Sequence, residues 1–208
     1  MENMKRNILL TLGLTALLAT ATQASQEQLA QSIRDTYSET LRTSEQLKST
    51  LSALNALTAQ KKGDLRPAYN VFSAEVPRTE AAAGNTRTRV QWMSGDGRQY
   101  FTKWQSTVDG IANQSLRAKA QKRMDTVKKS YDKVEASLIQ AGDKFRPFLS
   151  DLGDIQKALA TDVTAGGVKA IKSTVSSANW NHQSVNSAIN AALKEMDKMQ
   201  KALSSEAK

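Results

Sequence analysis

His182 is the residue best suited to acid–base chemistry, because histidine exchanges protons most readily near neutral pH and this is the only histidine of the 208-residue chain. It falls at an apolar position of a helical repeat, between Ala178 and Val185. No carboxylate or serine stands at a spacing that would identify it as a partner. We therefore interpret His182 as a polar core residue that fixes helix register and finds a hydrogen bond across the core. An enzyme that uses His182 is the alternative.

Metal and nucleotide chemistry lack most of the residues they require. The chain has no cysteine, which excludes disulfides, thiolate metal sites and a cysteine nucleophile, and a single histidine excludes sites that need two imidazoles. Met196 and Met199 could bind copper(I), but both occupy apolar helical positions, where methionine ordinarily fills the core. The glycine-containing turn at residues 94–97 has no following Lys-Ser to cradle a phosphate. The sequence therefore predicts no cofactor, no metal and no catalysis.

A dense group of basic residues is the most informative surface feature. Residues 114–133 include seven basic and two acidic side chains, a local net charge of +5 in a chain whose formal net charge is +9. The basic residues avoid the apolar positions, so we expect them on an outer face: Arg117, Lys119, Lys122, Arg123, Lys128, Lys129 and Lys133. They form either a solvated face or a binding surface for an anionic envelope component or an acidic protein. Nucleic-acid binding is disfavoured, because the one aromatic residue within the run, Tyr131, occupies an apolar helical position and so is not interleaved with the basic face.

The elements that position these residues are helices. From residue 25 onward, apolar residues recur every three or four positions, the pattern of an α-helix or coiled coil. Turns at residues 60–63, 110–115 and 161–167 divide this pattern into four segments. Short connections make successive helices antiparallel neighbours, which together bury stripes that no helix could bury alone. The sequence predicts an all-α fold, an elongated antiparallel helical bundle or coiled coil of about four long helices.

The second segment has the least regular pattern. Its middle positions, which include Thr79 and Ala83, bury little apolar surface. Proline lacks an N–H and clashes with the preceding turn, so we predict a kink at Pro77 and another at Pro147 in the third segment. Glycine disfavours helix, so we also predict a soft or broken turn near Gly95.

The third and fourth segments have the most regular stripes. The third extends in register from Leu116 to Leu159, and the fourth begins at Val168. Trp92 and Trp180 lie beside stripe positions, so we expect half-buried indoles on helix flanks. A role in stacking on a glycan or peptide is the alternative for these two residues.

The N-terminus has the order of a secretory signal. Lys5 and Arg6 precede an uncharged apolar run at residues 8–19, and small and polar residues follow it. The run is shorter than the roughly 20 residues that span a bilayer as a helix. Cleavage could follow Ala21 or Ala24, and we predict Ala24, which makes 1–24 a signal peptide and 25–208 a single helical-bundle domain without a transmembrane segment. The expected location is the periplasm or the medium; an uncleaved anchor is the alternative.

Several short motifs resemble an uncharacterised bacterial family, domain of unknown function 2959. They are residues 113–116, the pair Tyr131-Asp132, and Pro147 after a basic helix, within a resemblance that covers most of the chain after residue 24. The resemblance implies an exported, helix-rich, coiled-coil protein of Gram-negative bacteria. It implies no catalytic or binding residues. The chain differs from the family pattern in its second helix, at Gly95 and Gly97.

These observations favour an exported, non-enzymatic helical-bundle protein with an interaction or scaffold role at the cell envelope, exerted through its basic face. The alternative is a nucleic-acid-associated coiled-coil protein, which requires that the N-terminus is not a signal. Self-association through the coiled-coil stripes is a further way in which such a chain could act as a structural spacer.

Overall fold

The computed structural model describes the backbone of residues 2–60 and 62–204, and the side chains within these ranges from residue 23 onward. Its helices are α1 (Glu2–Ala59), α2 (Arg66–Asp109), α3 (Gln114–Thr161), α4 (Ala165–Ala170) and α5 (Lys172–Ser204). The predicted signal peptide, residues 1–24, lies almost wholly outside the described side chains and stays a prediction.

Four long helices form one bundle. Helix α1 packs against α2 and α5, and α3 packs against the same two helices. Gln26 on α1 donates to the carbonyl of Leu203 at 3.0 Å, whereas Asn55, later on α1, hydrogen-bonds Asn179 at 3.3 Å, so α1 and α5 are antiparallel. At 1.5 Å per residue, the 44 residues of α2 extend about 66 Å. The predicted all-α, elongated bundle is confirmed.

The connections end the helices where the sequence predicts. After Ala59, Gly63 adopts a φ of +89°, in the left-handed region that favours glycine. At the start of α3, the Asn113 side chain accepts a hydrogen bond from the Leu116 backbone N–H at 2.9 Å, an N-cap. The fourth segment differs from the prediction: it begins at Ala165 as the short helix α4 and is interrupted at Ile171 before α5.

The apolar stripe of α3 forms much of the core. Its buried residues are Met124, Val127, Tyr131, Val134, Leu138, Ala141, Phe145, Phe148, Leu152, Ile155 and Leu159. Met196 and Met199 are fully buried on α5, which confirms their interpretation as core residues. Leu116 is an exception, because 56% of it is exposed. Lys133 of α3 lies near Glu195 of α5, and the two helices run in opposite directions. The described part of α5 ends at Ser204, nine residues after Glu195, so it does not extend as far as the first turns of α3, where Leu116 lies.

The break predicted near Gly95 is absent, because α2 is continuous from Arg66 to Asp109. Neighbouring helices support this stretch: Asp96 accepts hydrogen bonds from Gln28 at 2.6 Å and from Ser32, both on α1. These tertiary contacts outweigh the weak helix propensity of glycine. Pro77 and Pro147 also lie inside continuous helices, and the kinks at these prolines stay predictions.

Threonines line the contact between α1 and α2. Buried hydroxyls of the two helices pair at Thr50 and Thr79, 2.6 Å apart, and partly buried ones at Thr43 and Thr86, 2.8 Å apart. Each threonine hydroxyl also lies within hydrogen-bond distance of a backbone carbonyl. Because a hydroxyl has one proton, one member of each pair donates to its partner and the other donates to a carbonyl, so these buried polar groups are satisfied. The small side chains allow α1 and α2 to pack closely. They also leave the space between this helix pair and α3 incompletely filled.

Candidate functional site

The seven basic residues predicted on an outer face are all exposed on α3, but the structure divides them. Lys119, Lys122, Lys129 and Lys133 follow one another at helical spacing and lie on one face, opposite the buried stripe. We call these four residues the α3 stripe. None of them makes an ion pair with a described residue. Arg123 follows Lys119 by four residues and lies at the edge of the stripe.

The other two basic residues lie on the flank of α3 that faces α2. Arg117 Nε donates to the carbonyl of Ile111 at 2.7 Å. Lys128 Nζ binds the carboxylate of Asp132 at 2.8 Å and lies 5.9 Å from the ring centroid of Phe101. Asp132 partly neutralises Lys128, and both basic residues lie outside the face of the α3 stripe, so they contribute less than the α3 stripe to that surface.

Tyr131 positions the helix that presents the stripe. Its hydroxyl donates to the carbonyl of Met93 on α2 at 3.0 Å and lies 3.0 Å from Oε1 of Glu135. Ser94 donates to the same carboxylate oxygen at 2.6 Å. Burial raises the pKa of the Tyr131 phenol, and the Glu135 carboxylate adds to that rise, so the group stays protonated and keeps its proton to donate.

Gly97 makes this contact sterically feasible, a role the sequence analysis missed. A Cβ added at Gly97 would lie 2.8 Å from Cε1 of Tyr131 and still nearer to its Cζ and hydroxyl. Only glycine lets the tyrosine ring lie against the α2 backbone. The sequence contained a signal for this approach, since Gly97 falls on the apolar stripe of α2, where a glycine buries no side chain of its own.

His182 is half-buried beside Phe148, with ring centroids 5.8 Å apart. Its buried Nε2 has no hydrogen-bond partner among the described residues, which do not provide the cross-core hydrogen bond expected there. The preceding residue makes one instead: Asn181, which the sequence analysis missed, donates to Asp151 at 2.7 Å. Burial lowers the pKa of His182, and the nearby Lys48 charge lowers it further. The imidazole contacts the ring of Phe148, as a side chain that fills the core would. No described carboxylate hydrogen-bonds it, as one would if it oriented the ring for proton transfer.

The two tryptophans expected to be half-buried are more exposed than that. Trp92 is 57% exposed, with the Arg89 guanidinium 4.9 Å from its ring centroid. Trp180 is 67% exposed, beside a shallow polar groove between α3 and α5. Neither indole lies on the α3 stripe. In the part of the chain that the structure describes, no three acidic or histidine side chains group as a metal site requires.

A half-open cavity of about 540 Å³ lies at the middle of the bundle, between α2 and α3. Its walls combine apolar side chains such as Leu138 and Phe145 with the paired Thr43 and Thr86. The middle of the second segment, whose small residues were expected to bury little apolar surface, forms one wall of this cavity.

The fold and its surface define the protein as a long antiparallel four-helix bundle with a stripe of four exposed lysines on one outer face. It belongs to the family described as protein of unknown function (DUF2959), whose model matches residues 19–203. This match confirms the resemblance seen in the sequence motifs. No curated protein matches the chain. Among the described residues, no helix combines the length and apolarity needed to cross a membrane.

Proposed function

We propose that the protein is exported and acts without catalysis, by binding an anionic component of the cell envelope through the α3 stripe. The observation that supports this proposal is the stripe itself. Its four lysines are exposed and make no ion pair with a described residue. From Lys119 to Lys133 they extend about 21 Å at 1.5 Å per residue. A row of like charges without ion pairs to described residues attracts a surface of opposite charge.

The chemistry of the stripe favours anionic lipid head groups as the partner. All four residues are lysines, whose compact, strongly hydrated charges suit non-directional attraction, whereas arginine is better suited to bidentate recognition. Each lysine close to an anionic bilayer contributes about 1 kcal/mol to binding. Four together suffice for reversible association that weakens as salt screens the charges.

Two observations support the export part of the proposal. Residues 1–24 have the basic, apolar and small-residue order of a signal peptide. The family match begins at residue 19, so nearly all of the apolar run at residues 8–19 lies outside it.

The test is co-sedimentation of the full chain with vesicles of phosphatidylglycerol and phosphatidylcholine, compared with vesicles of phosphatidylcholine alone. We expect binding to the anionic vesicles at low salt and release at high salt. A variant with Lys→Gln at all four stripe positions should bind at least about tenfold more weakly.

A matched control removes four exposed lysines at the opposite end of the bundle: Lys62, Lys157, Lys169 and Lys172, each changed to Gln. Its vesicle binding should change by less than about threefold, because these residues lie far from the stripe. Equal losses in the two variants would mean that net charge alone drives binding, and the stripe would not be the site. Salt-sensitive binding to double-stranded DNA without binding to vesicles would contradict the proposal and favour the nucleic-acid alternative.

A further inference from the structure

The cavity between α2 and α3 has the size and shape of a ligand site. Its volume of about 540 Å³ falls within the roughly 300–1,000 Å³ of typical small-molecule pockets. Along α3 its wall extends from Leu138 to Leu149, about 16 Å at 1.5 Å per residue. The space therefore follows α3 for about three helical turns, and it is partly open to solvent.

The floor of the cavity is apolar, and its polar atoms are already satisfied. Buried or partly buried apolar side chains from three helices line it: Val90, Leu138, Ala141, Phe145, Leu149 and Ile189. Thr43 and Thr86 also face it, but their hydroxyls bond each other at 2.8 Å as well as backbone carbonyls. Because these bonds use the hydroxyl protons of Thr43 and Thr86, neither residue has a free donor for a polar ligand, and the floor favours an aliphatic chain.

The rim of the cavity is charged. Arg87 on α2 and Arg146 on α3 both line the cavity and are exposed. Arg146 pairs with Asp143, another rim residue, whereas Arg87 makes no ion pair with a described residue. The rim therefore has one uncompensated guanidinium beside an apolar floor. This combination complements a molecule with one anionic group and one aliphatic chain.

We propose that the cavity between α2 and α3 binds a free single-chain anionic amphiphile, with its aliphatic chain on the apolar floor and its anionic group at Arg87. Small residues keep the site open. Ala83 forms part of the α2 wall and Gly142 part of the α3 wall, and a Cβ added at Gly142 would meet nothing within 4 Å. This site is separate from the α3 stripe, so the proposal does not depend on the function proposed for the stripe.

The cavity is tested by filling it. Binding of dodecanoate to the full chain is measured by isothermal titration calorimetry below its critical micelle concentration. Gly142→Leu places a side chain in the open space and should weaken binding by at least about tenfold. Gly153→Leu is the matched control, because Gly153 lies on the same helix, has equally open surroundings and does not line the cavity. It should leave dodecanoate affinity unchanged.

The charge at the rim is tested separately. Arg87→Gln should weaken dodecanoate binding by about tenfold but leave dodecanol binding unchanged, because only the carboxylate contacts the guanidinium. Arg98→Gln, an exposed arginine on α2 that does not line the cavity, should change neither. Octanoate should bind at least about tenfold more weakly than dodecanoate, because its shorter chain buries less apolar surface.

Three results would overturn the proposal. The first is the absence of dodecanoate binding to the unmodified chain. The second is equal weakening by Gly142→Leu and Gly153→Leu, which would place any bound amphiphile elsewhere. The third is a dimer of the unmodified chain that Gly142→Leu converts to a monomer in sedimentation, which would make the cavity an interface between two copies.

Discussion

Two glycines of α2 offer a direct test of how α2 and α3 pack. Gly95 and Gly97 are two residues apart in the same helix, yet their surroundings differ. A Cβ at Gly95 would meet nothing within 4 Å, whereas a Cβ at Gly97 would overlap the ring of Tyr131. Because alanine has a higher helix propensity than glycine, alanine at either position should by itself stabilise the folded protein by about 1 kcal/mol. That gain is common to both variants and cancels when they are compared.

The remaining difference is the cost of displacing Tyr131. Overpacking a filled core costs about 1–3 kcal/mol. The ring has little freedom to move, because Phe101 lies 5.4 Å away between centroids and the hydroxyl donates to Met93 at 3.0 Å. Moving it would also weaken that buried hydrogen bond, worth about 1 kcal/mol. We therefore expect Gly97→Ala to be about 3 kcal/mol less stable than Gly95→Ala.

The assay is thermal and urea unfolding of both variants, followed by far-ultraviolet circular dichroism. For a chain of this size, about 3 kcal/mol corresponds to melting temperatures roughly 6–12 °C apart. Introducing Tyr131→Leu into both variants should remove most of the difference, which makes a double-mutant cycle. If Gly97→Ala stabilises the protein as much as Gly95→Ala does, the reasoning is refuted, because Tyr131 could not then pack against the α2 backbone.

Two further predictions concern buried polar groups. The folded-state pKa of His182 is lowered by burial and by Lys48, so the unfolded state takes up its proton first as pH falls. The free energy of unfolding, measured with urea, should be constant above about pH 7 and decrease as the pH falls through about 6.5, the pKa of histidine in the unfolded chain. The His182→Gln variant should show no such decrease. Thr79→Val should cost about 1 kcal/mol, because the hydroxyl pairs with Thr50 at 2.6 Å. Changing Thr50 to Val as well should cost less than the sum of the single changes; a fully additive double variant would contradict this pairing.

The regular parts of the fold could be predicted from the sequence because local signals and packing agree there. The apolar face of α3 is buried from Met124 to Leu159, as its spacing predicts. The turn after Ala59 contains Gly63 in a positive-φ conformation, the position where glycine is favoured. The same helical periodicity predicted that the seven basic residues of α3 are exposed, and they are.

The sequence-based predictions were wrong where contacts with a neighbouring helix determine the local structure. Gly95 weakens α2 by propensity, but contacts made by the adjacent Asp96 with α1 keep the helix continuous. Leu116 has the right spacing for the core but lies beyond the part of α3 that described α5 residues cover. Gly97 is explained only by Tyr131, a residue 34 positions away on another helix. Spacing along one helix contains no information about such partners.

The candidate sites were only partly predictable for the same reason. The sequence identified the basic residues but could not separate the α3 stripe from Arg117 and Lys128, whose partners lie in the turn before α3 and on α2. The cavity required four helices to be placed together before its walls existed. Its one sequence signal was the run of small residues around Ala83.

The central claim is that this chain is exported and held at the envelope by the α3 stripe. The most direct measurement is fractionation of cells that produce the full chain with a C-terminal tag, combined with mass spectrometry of the N-terminus of the product. We predict a product that begins near Ser25, sediments with the envelope at low salt and is released by high salt. A cytoplasmic product that retains Met1 would contradict the claim and favour a nucleic-acid role for the basic face.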